Sequence, residues 1–186
     1  MTRHIVWEWV AEPGLEYLSL DEGDDLRIDS VVVFPTTGQV SRLHYKVSCT
    51  PTWNVRSLDI ELHQAGALRT LSLRRSDAGA WTLDGQARED LAGCTDIGLE
   101  VSPFTNTLPI RRLSFAPDEA KLIRVAYVRF PNLEVTAAVQ EYCRIGNADP
   151  PMKFRYRGLS SGFTAEIAVD AEGLVEDYPG LWRRLL

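Results

Sequence analysis

The chain has 186 residues, about one domain's worth, with 26 acids against 20 Lys plus Arg for a net charge of −6. At 45% hydrophobic and 25% charged it sits near the globular average, which excludes intrinsic disorder and a membrane bundle. The acidic balance argues against a general nucleic-acid binder, whose affinity comes from Lys and Arg on phosphates, so no nucleic-acid partner is expected.

Glu8 interrupts the first apolar run, which falls short of the ~7–15 apolar residues of a signal peptide. Export is therefore not expected, and a cytoplasmic setting is. No stretch approaches the ~18 apolar residues of a spanning helix. From here period-two alternation dominates. It predicts strands at 5–11, 15–21, 25–35, 40–49, 58–63, 68–74, 80–84, 96–101, 120–130, 152–157 and 163–170. In 40–49, for example, Leu43, Tyr45, Val47 and Cys49 share one face while Arg42, His44, Lys46 and Ser48 share the other. Gly, Asp and Pro punctuate the strands at 12–14, 21–24, 37–38, 65–66, 77–79, 84–85 and 171–173. The connections are of hairpin length, so the chain reads as an antiparallel meander that must curl to cover its apolar face and hide its edges.

Two segments resist this pattern. Residues 135–145 fit a strand through Val135, Ala137, Val139, Cys143 and Ile145. A helical face through Val135, Ala138, Val139, Tyr142 and Cys143 fits equally well. In 102–113, Thr105, Asn106 or Thr107 is placed to cap a short helix, with Pro109 tolerated in its first turn.

The densest polar cluster runs from Gly93 to Leu113. A capped helix there would aim backbone N–H groups at whatever precedes it. Thr105, Asn106 and Thr107 offer neutral donors and acceptors, and Arg111 and Arg112 offer forks suited to carboxylates, phosphates or sugar hydroxyls. The plainer reading is a capped turn, with one arginine paired to Asp96 and the other solvated.

The strings Gly93-Cys94-Thr95-Asp96 and Pro103-Phe104-Thr105-Asn106-Thr107-Leu108-Pro109-Ile110-Arg111-Arg112-Leu113 resemble the signature of the glycolipid-binding family, a bacterial group first catalogued as a domain of unknown function. Matches elsewhere include Trp53 with Arg56, Trp81 before Asp84-Gly85, and Asp177-Tyr178-Pro179-Gly180-Leu181. The resemblance implies a mainly β fold, a spiral β-roll wrapped around one short α-helix, similar in shape to bacterial lipoprotein carriers and pairing into homodimers. It also implies that 135–145 is strand and that the helix follows Thr105. Gly98 stands where relatives commonly carry a second acid, and Ser102 where Thr is usual, so a role needing two carboxylates there is not implied.

Other chemistry is thin. His4, His44 and His63 lie on separate predicted strands, and Cys49, Cys94 and Cys143 are odd in number with no CxxC pair. No metal site, disulfide or cofactor is expected, and the thiols read as buried and inert. Trp7 or Trp9, whichever points inward, and Trp81 read as core. Trp53 and Trp182 read as cavity-rim residues, and Tyr178, in a tight turn with Pro179 and Gly180, as closing one end of the cavity. The expected function is binding of a glycolipid or other lipid-like ligand in an apolar groove between sheet and helix, with a polar mouth at 96–112. There Arg111 or Arg112 holds the head group, Asp96 orients the arginine, and Thr105, Asn106 and Thr107 complete the hydrogen bonds. The alternatives are an enzyme using Asp96 and Arg111, or a dimeric scaffold in which the motif only locks helix to sheet.

Overall fold

The computed structural model describes residues 2–36, 38–146 and 149–186. Thr37, half of the turn expected at 37–38, lies outside them. The strands are β1 (Thr2–Trp9), β2 (Gly14–Glu22), β3 (Leu26–Thr36), β4 (Gln39–Cys49), β5 (Val55–Gln64), β6 (Ala67–Arg75), β7 (Trp81–Leu83) and β8 (Gln86–Ala87). After a 3₁₀ turn at Glu89–Leu91 come β9 (Asp96–Leu99), a second 3₁₀ turn at Phe104–Asn106 and the helix α1 (Thr107–Arg112). Strands β10 (Ala120–Arg129), β11 (Glu134–Ile145), β12 (Met152–Gly158), β13 (Phe163–Val169), β14 (Val175–Tyr178) and β15 (Trp182–Arg184) complete the chain.

All fifteen strands form one sheet, in the order β8 to β1 and then β15 back to β9. The chain thus begins in mid-sheet, meanders to one edge, crosses to the opposite edge and meanders back until β15 pairs with β1. The eight residues between β8 and β9 reach at most ~29 Å fully extended, so the sheet has to curl until its edges approach. Side chains clasp them. The Trp81 indole N–H donates to the Cys94 carbonyl at 2.9 Å, Arg88 to the Val135 carbonyl at 2.8 Å, and Arg69 to the Pro131 carbonyl at 3.1 Å.

The predicted stripes face inward as read: Leu43, Tyr45, Val47 and Cys49 are buried, as are Leu58, Ile60 and Leu62. Residues 135–145 are strand, but with a face the apolar pattern does not mark. Gln140 and Tyr142 point inward and Val139 points out, because that stretch meets a polar cavity rather than the dry core. One pairing corrects the all-antiparallel expectation. β9 and β10 run parallel, since the intervening residues carry α1 across the sheet, and such a crossover returns the chain in its original direction. The helix is six residues long and its Thr107 and Leu108 are fully buried inside the curl. No helix among the described residues is long and apolar enough to cross a membrane.

Trp7 shows how the termini are held. Its ring is fully buried and its N–H donates to the Val175 carbonyl at 2.8 Å, joining β1 to β14 across β15. Trp7→Ala is expected to cost about 3–5 kcal/mol in urea unfolding. A loss under about 1 kcal/mol would contradict its place in the core.

Candidate functional site

A cavity of about 490 Å³ opens at one end of the curl, walled by the ends of strands and by the 3₁₀ turn ahead of α1. Nine aromatic side chains line it. Trp9, Phe34, Phe130 and Trp182 stand on one side, and Tyr127, Tyr142, Tyr156, Phe163 and Tyr178 on the other. They brace one another: Trp9 stacks on Trp182 with centroids 5.1 Å apart, and Tyr142 meets Tyr156 edge-on at 5.3 Å. Tyr127 owes its position to Gly98, its register partner on β9. A Cβ there would lie 2.6 Å from the Tyr127 ring, so only glycine admits the ring to the wall.

The segment from Gly98 to Asn106 supplies the polar part of the wall, through Glu100, Ser102, Thr105 and Asn106, with Gln140 opposite. Thr105 Oγ1 accepts the Leu99 N–H at 3.3 Å. Asn106 donates to the Pro103 carbonyl and accepts the Tyr142 hydroxyl at 2.8 Å. The Asn106 backbone is already helical and makes no side-chain cap, because the 3₁₀ turn runs directly into α1. The capped helix end expected here is therefore absent. The 3₁₀ turn and the side chains of 98–106 do the presenting instead.

Of the residues singled out from sequence, Thr105, Asn106, Tyr178 and Trp182 come together in the cavity wall. The others do not. Asp96 is fully buried away from it, held by Arg112 Nε at 3.1 Å and Nη2 at 2.5 Å, with the Thr95 hydroxyl donating at 2.8 Å. Both carboxylate oxygens are engaged, so Asp96 is no acid or base for a substrate, and Arg112 is spent on it. Arg111 turns outward, donates to the Glu172 carbonyl at 3.0 Å and lies 5.0 Å over the Trp53 ring. Trp53 is consequently a buried platform rather than a cavity-rim residue, and its backbone is held at φ 64°, a costly conformation for an indole. Thr107 is buried in the first turn of α1, outside the cavity, and its hydroxyl has no partner among the described residues. The polar mouth read at 96–112 thus contracts to 98–106.

Glu16 is the residue that sequence reading missed. It is fully buried behind Ser102, and its Oε1 accepts hydroxyls from Tyr45 at 2.5 Å, Ser30 at 2.7 Å and Ser102 at 3.0 Å. Its Oε2 has no partner among the described residues. Burial pushes its pKa up to about 7, against the downward pull of the three hydroxyls. The signal was present: Leu18 and Leu20 face inward, and the same parity carries Glu16 inward.

All three cysteines are buried and unpaired, and burial pushes the Cys49 thiol up to about 12 and the Cys94 thiol upward too. No cluster of described His, Cys, Asp or Glu could hold a metal.

A family described as "Putative glycolipid-binding" matches residues 4–184. The chain belongs to this family. A crystal structure of a DUF1089 family protein from Pseudomonas aeruginosa superposes with a TM-score of 0.81 at 34% identity, covering 91% of this chain and 92% of that one. No curated protein matches the chain significantly. For this glycolipid-binding family member, the motif that carried the resemblance divides in two: its middle, 98–106, walls the cavity, and its flanks, Asp96 and Arg112, form the ion pair.

Two outcomes follow from these positions. Arg112→Ala strands a buried carboxylate and is expected to cost about 3–5 kcal/mol in chemical denaturation. Arg111→Ala loses an exposed hydrogen bond to the Glu172 carbonyl and the contact over Trp53, about 1 kcal/mol. Comparable losses at both positions would contradict the assignment. Glu16 holds its proton more tightly in the folded chain than the ordinary carboxylate at 4.5 does. Stability is therefore expected to fall by about 3 kcal/mol as pH rises from 4.5 through about 7, and Glu16→Gln to remove that part of the slope. Parallel pH profiles of the two proteins would contradict it.

Proposed function

We propose that the chain, working as one domain over residues 1–186 in a cytoplasmic setting, binds a glycolipid or similar amphiphile, its head group held against the aromatic wall. The cavity itself carries this reading. Its volume of about 490 Å³ lies in the ~300–1,000 Å³ range of small-molecule sites, and its wall is aromatic with a few convergent polar groups. Indoles and phenols present flat apolar faces with a polar edge, the chemistry that grips both sugar rings and acyl chains. The family description agrees in kind. The sealed Asp96 counts against catalysis through that residue. The lock reading fits the flanks of the motif, Asp96 and Arg112, and is compatible with binding at its middle. Homodimer formation belongs to the same proposal.

The hydroxyls of Tyr127, Tyr156 and Tyr178 bond to no described residue, which makes them the cleanest probes. Replacing all three by Phe is expected to leave thermal unfolding unchanged and to weaken binding of n-octyl β-D-glucoside about tenfold or more in calorimetry. Lipid extraction of the chain purified from its native cytoplasm is expected to release a bound amphiphile. Ligand-free protein in repeated preparations, with no binding across a lipid panel, would sink the reading.

A further inference from the structure

The charge of the cavity wall, more than its size, limits what can enter. Among the described lining residues none is Lys, Arg or His, and the one acid is Glu100. Its Oε2 accepts the Phe130 backbone N–H at 2.8 Å, which fixes the carboxylate at the exposed rim beyond the end of β9. A second acid, Glu16, reaches the same wall from behind through Ser102. The arginines of the motif lie elsewhere, Arg112 on Asp96 and Arg111 on Trp53. An annex of about 210 Å³ shares Glu100, Tyr127 and Gln140 with the cavity and adds Arg129. That side chain is exposed, as Glu100 is, so solvent screens both, and the annex holds one charge of each sign while the main cavity holds the acid alone.

Apart from the second oxygen of Glu100, the wall groups without partners among the described residues are neutral. They include the hydroxyls of Tyr127, Tyr156 and Tyr178, the carboxamide NH₂ of Gln140 and the indole N–H groups of Trp182 and of Trp9, the last of them buried. Burial pushes the Tyr156 phenol up to about 12, and those of Tyr127 and Tyr178 well upward, so all three stay protonated. Each phenol both donates and accepts. A sugar hydroxyl does likewise and can satisfy either role. A carboxylate or phosphate only accepts, and would bring an unpaired charge out of water to stand beside two acids, which costs heavily.

We propose that the cavity selects an uncharged, polyhydroxylated head group and excludes anionic ones. This rests on the reading of the cavity as an amphiphile site and narrows it to neutral sugars over acidic or phosphorylated lipids.

The test uses n-octyl β-D-glucoside and n-octyl β-D-glucuronide, which differ only in a hydroxymethyl against a carboxylate. Titrated below micellisation into the full chain at low salt and about pH 8, above the value of about 7 to which burial raises Glu16, the glucoside is expected to bind about tenfold tighter or more. The gap is expected to narrow several-fold in Glu100→Gln and further in Glu100→Lys, with circular dichroism unchanged. Equal or tighter binding of the glucuronide to the unaltered chain overturns charge selection while leaving the amphiphile site standing. A gap indifferent to both Glu100 variants overturns selection by the wall acid. Binding of neither detergent overturns the inference together with the reading it rests on.

Discussion

The grip of Arg112 on Asp96 is the contact on which the rest of the molecule depends. Asp96 opens β9, the parallel strand at the sheet edge, and Arg112 ends α1, so one buried ion pair closes the segment between them into a loop. A buried pair of this kind is weak as net stabilisation, because both charges are taken out of water. Its value is positional, since neither partner can leave without stranding the other. With both ends fixed, the intervening residues 98–106 are presented to the interior of the curl, where they become the polar part of the cavity wall.

The remaining wall follows from how the sheet closes. A sheet whose edges meet through side chains rather than ladder bonds keeps an opening at its end, and the strand ends there carry aromatic residues in place of the aliphatic ones of the core. The aliphatic stripes of β3 to β6 fill the interior, while Tyr142, Tyr156 and Tyr178 pack edge-on in the cavity wall. Glu16 joins the two regions. Its carboxyl sits in the core of one half of the sheet and touches the wall of the cavity through Ser102. Glu16 has no cationic partner among the described residues, so burial raises it to about 7 against three neutral hydroxyls alone.

The long strands were legible because each turns one apolar stripe to a dry interior, and strict alternation is what such a surface demands. The pattern fails where the interior is the wall of the cavity and not the aliphatic core. Gln140 and Tyr142 face inward without being aliphatic, so β11 read ambiguously, and Glu16 went unremarked although Leu18 and Leu20 set its parity. β14 and β15 are too short to show a stripe, yet the Tyr178-Pro179-Gly180 turn that joins them was plain from its residues. At the site, Thr105, Asn106, Tyr178 and Trp182 were found by residue type. Arg111, Arg112, Asp96 and Thr107 were drawn in by neighbourhood along the chain, and Trp53 by its indole. A helix turns neighbours to different faces, and no spacing rule tells which arginine meets the acid.

The five tryptophans offer the most direct test, because their indole N–H groups report separately on the cavity, the core and the motif face. In ¹⁵N-labelled protein titrated with n-octyl β-D-glucoside, the Trp9 and Trp182 indole resonances should shift with saturating dependence on ligand. Those of Trp7 and Trp81, bonded to the Val175 and Cys94 carbonyls, and of Trp53, beneath Arg111, should hold still. A shift at Trp53 with Trp9 and Trp182 unmoved would place the ligand on the arginine face and contradict the division of the motif into wall and lock.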